Sequence, residues 1–273
     1  MRPDEVRFEA LGSACHVLGV GLERGRLAWA TAWVAERHDR FSRFEPDSEL
    51  SRLNAAAGRW ADVSPELEGL LRAALEAHRL SGGLVHAGVL GCMLAIGYTR
   101  PLRLGPTAAT LGGAAAPPPL PEMLELAPGR ARLRAGTGID LGGIAKGWLA
   151  DRLAATLGEN CLVNLGGDLF ARGAGPEGEG WPVAMGPSTL LLRDQGVATS
   201  GVRRRAWLED GETLHHLIDP RTGRPAATDL AQVSVVAGTA AEAEIHAKAA
   251  LLLGSALAPA YLVAHALGWW LAP

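Results

Sequence analysis

Two glycine pairs constrain this chain more than any other feature. Each follows a short apolar run and ends it. Asp140-Leu141-Gly142-Gly143 leads into Ile144-Ala145-Lys146-Gly147, and Asn164-Leu165-Gly166-Gly167 leads into Asp168. Glycine adopts backbone conformations closed to other residues, so both pairs mark sharp turns where a ligand can approach the backbone. After the first pair, Ile144, Trp148, Leu149 and Leu153 recur at helical spacing and predict a helix over 144–157 with Lys146 in its first turn. The unpaired N–H groups of a helix start favour phosphate, and Lys146 adds a point charge there. The order is not that of a Walker A loop. From the residues alone, phosphate binding at Gly142, Gly143 and Lys146 stands beside the plainer reading of a glycine turn with a snorkelling lysine. Gly166-Gly167-Asp168 reads by itself as a tight turn in which Asp168 bonds its own backbone.

The rest of the chain interleaves strands and helices without a regular βαβ rhythm, which predicts an α+β fold. Residues 6–20 read as a strand or hairpin arm turning at Gly12 and again at 19–21. Leu27, Ala30, Val34 and Phe41 predict an amphipathic helix over about 23–38. Asp47 is expected to cap a short helix with Glu49 in its first turn. Ser64-Pro65-Glu66 is a clear helix start, and Gly82-Gly83 stops that helix. Residues 101–121, with three consecutive prolines, read as an exposed semi-rigid connection. Residues 130–139 read as a strand, 162–165 and 233–236 as short buried strands, and 241–253 as a helix. No formally charged residue follows Lys248, and that run is long enough to span a bilayer. Gly254, Pro259 and Gly268 interrupt it, so two short buried helices and a last strand at 269–272 are expected, with no membrane span.

Composition narrows the class further. Across 273 residues, 26 Lys+Arg oppose 29 Asp+Glu and 48% of residues are hydrophobic. That excludes a disordered or collagen-like chain and leaves no electrostatic footprint for nucleic acid. Cys15, Cys92 and Cys161 lie far apart, so neither a disulfide framework nor a structural zinc site is expected. The opening residues contain no apolar signal-peptide core, and a cytoplasmic location is expected. Only two of the basic residues are lysine, Lys146 and Lys248. A lysine kept in an arginine-using chain suggests a need for a compact ammonium.

Two further segments carry chemistry. Thr199-Ser200-Gly201, followed by Arg203-Arg204-Arg205, suits an anion or is a solvated basic turn. His215-His216-Leu-Ile-Asp219-Pro-Arg-Thr222-Gly-Arg-Pro places an imidazole before a proline-fixed turn. His216 suits a general base near neutral pH.

In this order the segments resemble the ApbE family, the FAD:protein FMN transferases. The carrying motifs are ALGSACHV (10–17), FSRFEPDSELSRLN (41–54), DLGGIAKG (140–147), NLGGD (164–168), TSG (199–201), HLIDPRTGRP (216–225) and AEAEIHAKAALLLG (241–254). The resemblance implies one ApbE-like (T-fold-like) domain over 1–273 with two lobes and a central FAD cleft. It implies transfer of FMN from FAD to a Ser or Thr hydroxyl of a target flavoprotein, with AMP released. Targets of the family carry a D-G-x-S/T-G-A-T-like sequence. Hydrolysis of FAD to FMN and AMP, or FAD binding without transfer, are the alternatives.

Residue by residue, the resemblance makes His216 the base. It puts Glu49, Asn54, Asp140, Gly142, Gly143, Lys146, Gly166, Gly167, Asp168, Thr199, Ser200, Gly201, Asp219 and Thr222 around the FAD. It implies a divalent ion, usually magnesium, near the pyrophosphate, with the Ala145 carbonyl and Glu244 as ligands. The chain departs from the family here. Glu244 and Lys248 stand where the family has Asp and Thr, and Val85-His86-Ala87-Gly88-Val89 replaces F-D-P-T-V. The segment from Ser200 to Arg205 loses an aromatic residue. An ammonium cannot ligate magnesium. Glu244 and Lys248, four apart on one helix face, can pair, so Lys248 is expected to take the place of the ion and to join His216 in the catalytic set. The bland alternative is a surface helix pair.

Overall fold

The computed structural model describes residues 2–109, 114–209 and 211–273. The chain divides into two compact units. Unit 1 holds residues 1–38, 144–200 and 232–273; unit 2 holds 39–143 and 201–231.

The chain opens with the hairpin β1 (Asp4–Ala10) and β2 (Ser13–Gly19), joined by Leu11 and Gly12, both at positive φ. That backbone matches the twist of the paired strands. Helix α1 (Arg26–Phe41) buries Ala30 and Val34 completely. Helix α2 (Glu49–Ala55) is capped by Ser48, not by Asp47. Ser48 has the extended φ/ψ a cap needs, and its Oγ accepts from the Ser51 N–H at 2.9 Å. After β3 (Ala61–Asp62), Ser64 caps α3 (Pro65–Leu80) by accepting from the Leu67 N–H. Leu67, Leu70, Leu71 and Ala74 form the buried stripe, and Gly82 and Gly83 end the helix at positive φ. Helices α4 (Leu90–Ala95) and α5 (Leu120–Met123) follow, then the hairpin β4 (Leu124–Ala127) and β5 (Arg130–Leu133). The strand expected over 130–139 stops at Leu133, because Thr137 folds back onto the Arg134 carbonyl through both its N–H and its hydroxyl.

Helix α6 (Ala145–Leu157) and the hairpin β6 (Cys161–Leu165) and β7 (Asp168–Arg172) come next, then the hairpin β8 (Trp181–Met185) and β9 (Ser188–Leu192). Strand β10 (Gln195–Gly201) is followed by the ribbon β11 (Ala206–Glu209) and β12 (Glu212–His215), and by the short pair β13 (Ile218–Asp219) and β14 (Arg224–Pro225). Strand β15 (Gln232–Ala237), helix α7 (Ala240–His265) and strand β16 (Gly268–Ala272) close the chain.

Unit 1 is built on a seven-stranded sheet in the order β1-β2-β6-β7-β10-β15-β16. Alternation assigns its two faces. Cys161 on β6 points its thiol to the Ala154 carbonyl of α6, and Val163 and Leu165 share that face, fully buried. Leu162, Leu169 and Val197 point the other way into a cluster with Trp181, Val183, Met185 and Leu192 of the β8–β9 hairpin. Helices α6 and α7 therefore cover one face, and the hairpin packs on the other.

Unit 2 combines the sheet β3-β5-β4 and the two short ribbons with α2 to α5. Its core joins Cys92, Met93, Ile96, Tyr98, Leu214 and Ile218, with Leu102, Ala109 and Ala114 packed against it. The 101–121 segment is thus tied down in its described part and is not simply exposed. Ala114 and Ala116 lie so close to Gly223, at φ 71°, that a Cβ there would clash with their backbone.

Helix α7 is long and apolar enough to cross a membrane by length and composition. Gly254, at φ 72° and ψ 173°, breaks it into the two helices expected from the sequence. The first is buried on nearly every side, from Ala243 to Leu252. The second, contrary to expectation, buries only Ala258 and Leu262.

Candidate functional site

The loop before α6 is fixed by side chains of unit 2. Asn54 clamps the Ile139 backbone, donating from Nδ2 to its carbonyl at 3.0 Å and accepting its N–H at Oδ1 at 2.9 Å. One residue on, the Asp140 carboxylate accepts the Gly142 N–H at 2.9 Å and the Arg43 Nε–H at 2.6 Å. Arg43 also donates to the Tyr98 carbonyl, and its side chain is only 5% exposed. Neither Gly142 nor Gly143 has positive φ, so the loop turns by this hydrogen bonding and not by left-handed backbone. Glu49 is bonded to Arg40 at 2.7 Å and to the Ser64 N–H at 3.1 Å. Burial raises the Glu49 carboxyl, but the bonds from Ser64 and Arg40 outweigh it and hold it below the usual range. Glu49 and Asn54 thus bond the protein's own backbone and caps.

Ala145 opens α6 and Lys146 follows in the first turn. Within unit 1 the Lys146 ammonium bonds to Asp168, whose side chain is 2% exposed. It also lies 3.4 Å from Glu244 Oε1. Asp168 does not bond its own backbone as the turn reading expected. It opens β7 directly after Gly166 (φ 74°) and Gly167 (φ 101°), a two-residue turn only glycines adopt without strain. The Asn164 carboxamide steadies that turn by accepting the Gly167 N–H at 2.8 Å.

Glu244 lies on the buried half of α7. Its Oε2 accepts the Gly147 N–H at 2.9 Å, and its Oε1 accepts from Lys248 at 3.2 Å as well as from Lys146. Burial raises this carboxyl, but Lys146, Lys248 and the Gly147 N–H together hold it below its ordinary value. Both lysines of the chain thus meet on one carboxylate. Gly147 permits this approach of α6 to α7, since a Cβ there would lie 2.5 Å from the Ala240 carbonyl oxygen. Asp151, one turn further along α6, accepts the Ala240 and Ala241 N–H groups at 2.7 and 3.0 Å and fixes the start of α7. Burial pushes Asp151 up to about 6.

Thr199 and Ser200 lie on β10, so the third motif is a strand and the turn comes after it. The Thr199 hydroxyl pairs with Ser234 at 2.8 Å, and Ser200 is buried. In unit 2, where Gly201 also falls, His215 ends β12. His215 bonds the Ala226 carbonyl through Nε2, while its buried Nδ1 has no hydrogen-bond partner. His216 follows, half-buried, its N–H donating to the Arg205 carbonyl at 3.2 Å. Asp219 accepts the Arg221 N–H and chelates its guanidinium, at 2.6 Å in the shortest contact, while its carbonyl receives the Thr222 and Gly223 N–H groups. Burial raises Asp219, and Arg221 more than reverses it. Asp219 therefore shapes the turn after His216, and Thr222 sits exposed on it.

A model of the ApbE family matches residues 11–268. The chain belongs to the ApbE family. Curated proteins named FAD:protein FMN transferase are similar in sequence. That of Treponema pallidum is 37% identical over 145 residues, 44% of this chain and 39% of the relative. That of Escherichia coli K12 is 36% identical over 129 residues, 42% of this chain and 37% of the relative. The chain thus spans about two fifths of the length of the curated relatives it matches. Among solved structures, an ApbE protein of Thermotoga maritima superposes with TM-score 0.85 at 23% identity, covering 99% of this chain and 94% of that one. The apo flavinyl transferase ApbE of Pseudomonas stutzeri gives 0.82 at 22% identity, covering 96% and 88%. These likenesses show that the α+β ApbE fold expected from the motifs is the fold of this chain.

The divalent ion implied by the family resemblance does not fit the donors present. Magnesium requires oxygen ligands at about 2.0–2.1 Å in near-octahedral array. Both Glu244 oxygens already accept hydrogen bonds, two of them from ammonium groups, and Asp168 faces Lys146. Among the described residues no three His, Cys, Asp or Glu side chains are grouped to hold a metal.

Four residues beyond the sequence-predicted set support the site: Arg43, Asn164, Asp151 and Ser234. Arg43 and Asn164 lie inside quoted motifs, where a buried arginine and a turn-side asparagine are readable. Asp151 and Ser234 act across long sequence distances and leave no local pattern.

Proposed function

We propose that this chain is an FAD:protein FMN transferase. The observation that carries the reading is the family match over residues 11–268 together with relatives of that name. The Lys146 ammonium at the start of α6, held by Asp168 and Glu244, is a charge of the kind a diphosphate needs.

In the proposed reaction a Ser or Thr hydroxyl of a target flavoprotein attacks the FMN-side phosphorus of FAD. The hydroxyl proton passes to His216, a new P–O bond joins FMN to the target, and the bond to the bridging oxygen breaks. AMP leaves with that oxygen and its electron pair. Lys146 offsets the charge growing on the phosphoryl oxygens, as electrostatic stabilisation dominates phosphoryl transfer. The Thr199 and Ser200 hydroxyls supply neutral donors. Asn54 and Asp140 act by holding the loop 139–142.

The test incubates the protein with FAD and a peptide bearing a D-G-x-S/T-G-A-T-like sequence, followed by mass spectrometry. The expected result is a gain of one FMN on the peptide. His216→Ala is expected to lower the rate by about 10²–10⁴-fold without loss of fold. Free FMN and AMP without a peptide adduct would mark a pyrophosphatase. Retained FAD with neither product would mark a binding protein, a reading the blocked carboxylate of Glu244 favours.

A further inference from the structure

The two lysines of this chain, far apart in sequence, converge on one oxygen. Lys146 and Lys248 place their ammonium groups 3.4 and 3.2 Å from Glu244 Oε1. The Glu244 side chain is 1% exposed and Lys248 15%, so this is not a surface helix pair. Exposed pairs in this chain use arginine, as Arg72–Glu68 and Arg79–Glu76 do. Burying a second ammonium here is costly unless the place demands a cation. Glu244, Lys248, Lys146 and Asp168 form a cluster with two charges of each sign. Its carboxylates are already neutralised, which leaves them no tendency to recruit a divalent ion.

We propose that Lys248 is a built-in substitute for a divalent cation, an ammonium tethered by Glu244 that lets this chain hold the FAD diphosphate without metal. The proposal rests on the FAD reading above. A fixed ammonium differs from a bound ion in two respects. It carries half the charge of a dication at the same place, so it attracts phosphate less strongly. It is present at any metal concentration and cannot be chelated away.

The test has two arms. In the first, Mn²⁺ alone is titrated against wild type and Lys248→Thr, with free Mn²⁺ read by electron paramagnetic resonance. Wild type is expected to take up none at this site, and Lys248→Thr to gain one bound ion, the carboxylate being released to ligate it. A wild type that binds one Mn²⁺ that Lys248→Thr leaves unchanged overturns the proposal, as does a Lys248→Thr protein that binds none. In the second arm, FAD affinity is read by flavin fluorescence with EDTA or with excess Mg²⁺. Wild type is expected to bind equally in both, and Lys248→Thr to lose about tenfold in EDTA and recover it with Mg²⁺. A wild type gaining about tenfold or more from Mg²⁺ overturns the proposal.

Circular dichroism melting verifies that the variant is folded, and Lys248→Gln replaces it in the EDTA comparison if it is not. The two readings fail separately. Peptide flavinylation that requires Mg²⁺ removes the substitution and keeps the transferase. Absent flavinylation with metal-indifferent FAD binding removes the transferase and keeps the substitution.

Discussion

The lysine cluster of unit 1 and the histidine turn of unit 2 are stabilised in opposite ways. At Glu244 the charges come from α6, α7 and β7, and they meet in a place nearly closed to solvent. From Asp219 to Gly223 the bonds are local: Asp219 holds Arg221 two residues on, and its carbonyl receives the Thr222 and Gly223 N–H groups three and four residues on. A buried pair loses much when one partner goes, because the other is left desolvated. A local turn exchanges its bonds for water at little cost. Charge positioning therefore belongs to the first region, and a side chain that takes and releases a proton belongs more naturally to the second.

The largest expected difference between them is in stability. Glu244→Ala leaves two ammonium groups facing each other and the Gly147 N–H without its acceptor. A loss of about 3–5 kcal/mol is expected in urea unfolding. A loss under about 1 kcal/mol would place this cluster with ordinary surface pairs.

Acid should act on both units. His86 in unit 2 is bonded at both ring nitrogens, to the Gly88 N–H and the Pro118 carbonyl, and burial and His78 push it down to about 4. His246 in unit 1 bonds the Tyr261 hydroxyl at 2.8 Å, and burial and His265 push it down to about 4. Both fold in the neutral form, and the unfolded chain takes up their protons first. Their stabilisation is complete above pH 6.5 and is lost as pH falls from 6.5 to about 4. The expected loss is on the order of 2–3 kcal/mol for each histidine, read from the urea midpoint against pH. His246→Gln should flatten part of that slope, and an unchanged slope would remove His246 from the account.

The smallest effect is expected at the turn. Asp219→Ala removes a bond to the Arg221 N–H and a pair with a half-exposed guanidinium. A cost of about 1 kcal/mol is expected by thermal melting. A cost as large as that at Glu244 would erase the contrast between the two regions.

What the sequence disclosed followed the range of the interactions. Ser64 was readable as a cap because its bond reaches only to Leu67. The cap of α2 was misplaced by one residue because Asp47 and Ser48 are both capable and only backbone geometry chooses between them. The β8–β9 hairpin went unread, since its short strands take their burial from Leu162, Leu169 and Val197 on other strands. Within the site, Lys146 and the glycine pairs stood out by composition and order. That Lys146 and Lys248 share Glu244 is a fact of tertiary packing, hinted at only by the scarcity of lysine.

Equilibrium dialysis against FAD, with wild type and Lys146→Gln compared side by side, probes the account at its centre. One FAD per wild-type chain and a loss of about tenfold or more in Lys146→Gln are predicted. A wild type that retains no flavin, or a Lys146→Gln protein that binds it equally well, would contradict the assignment of the α6 start as the diphosphate site.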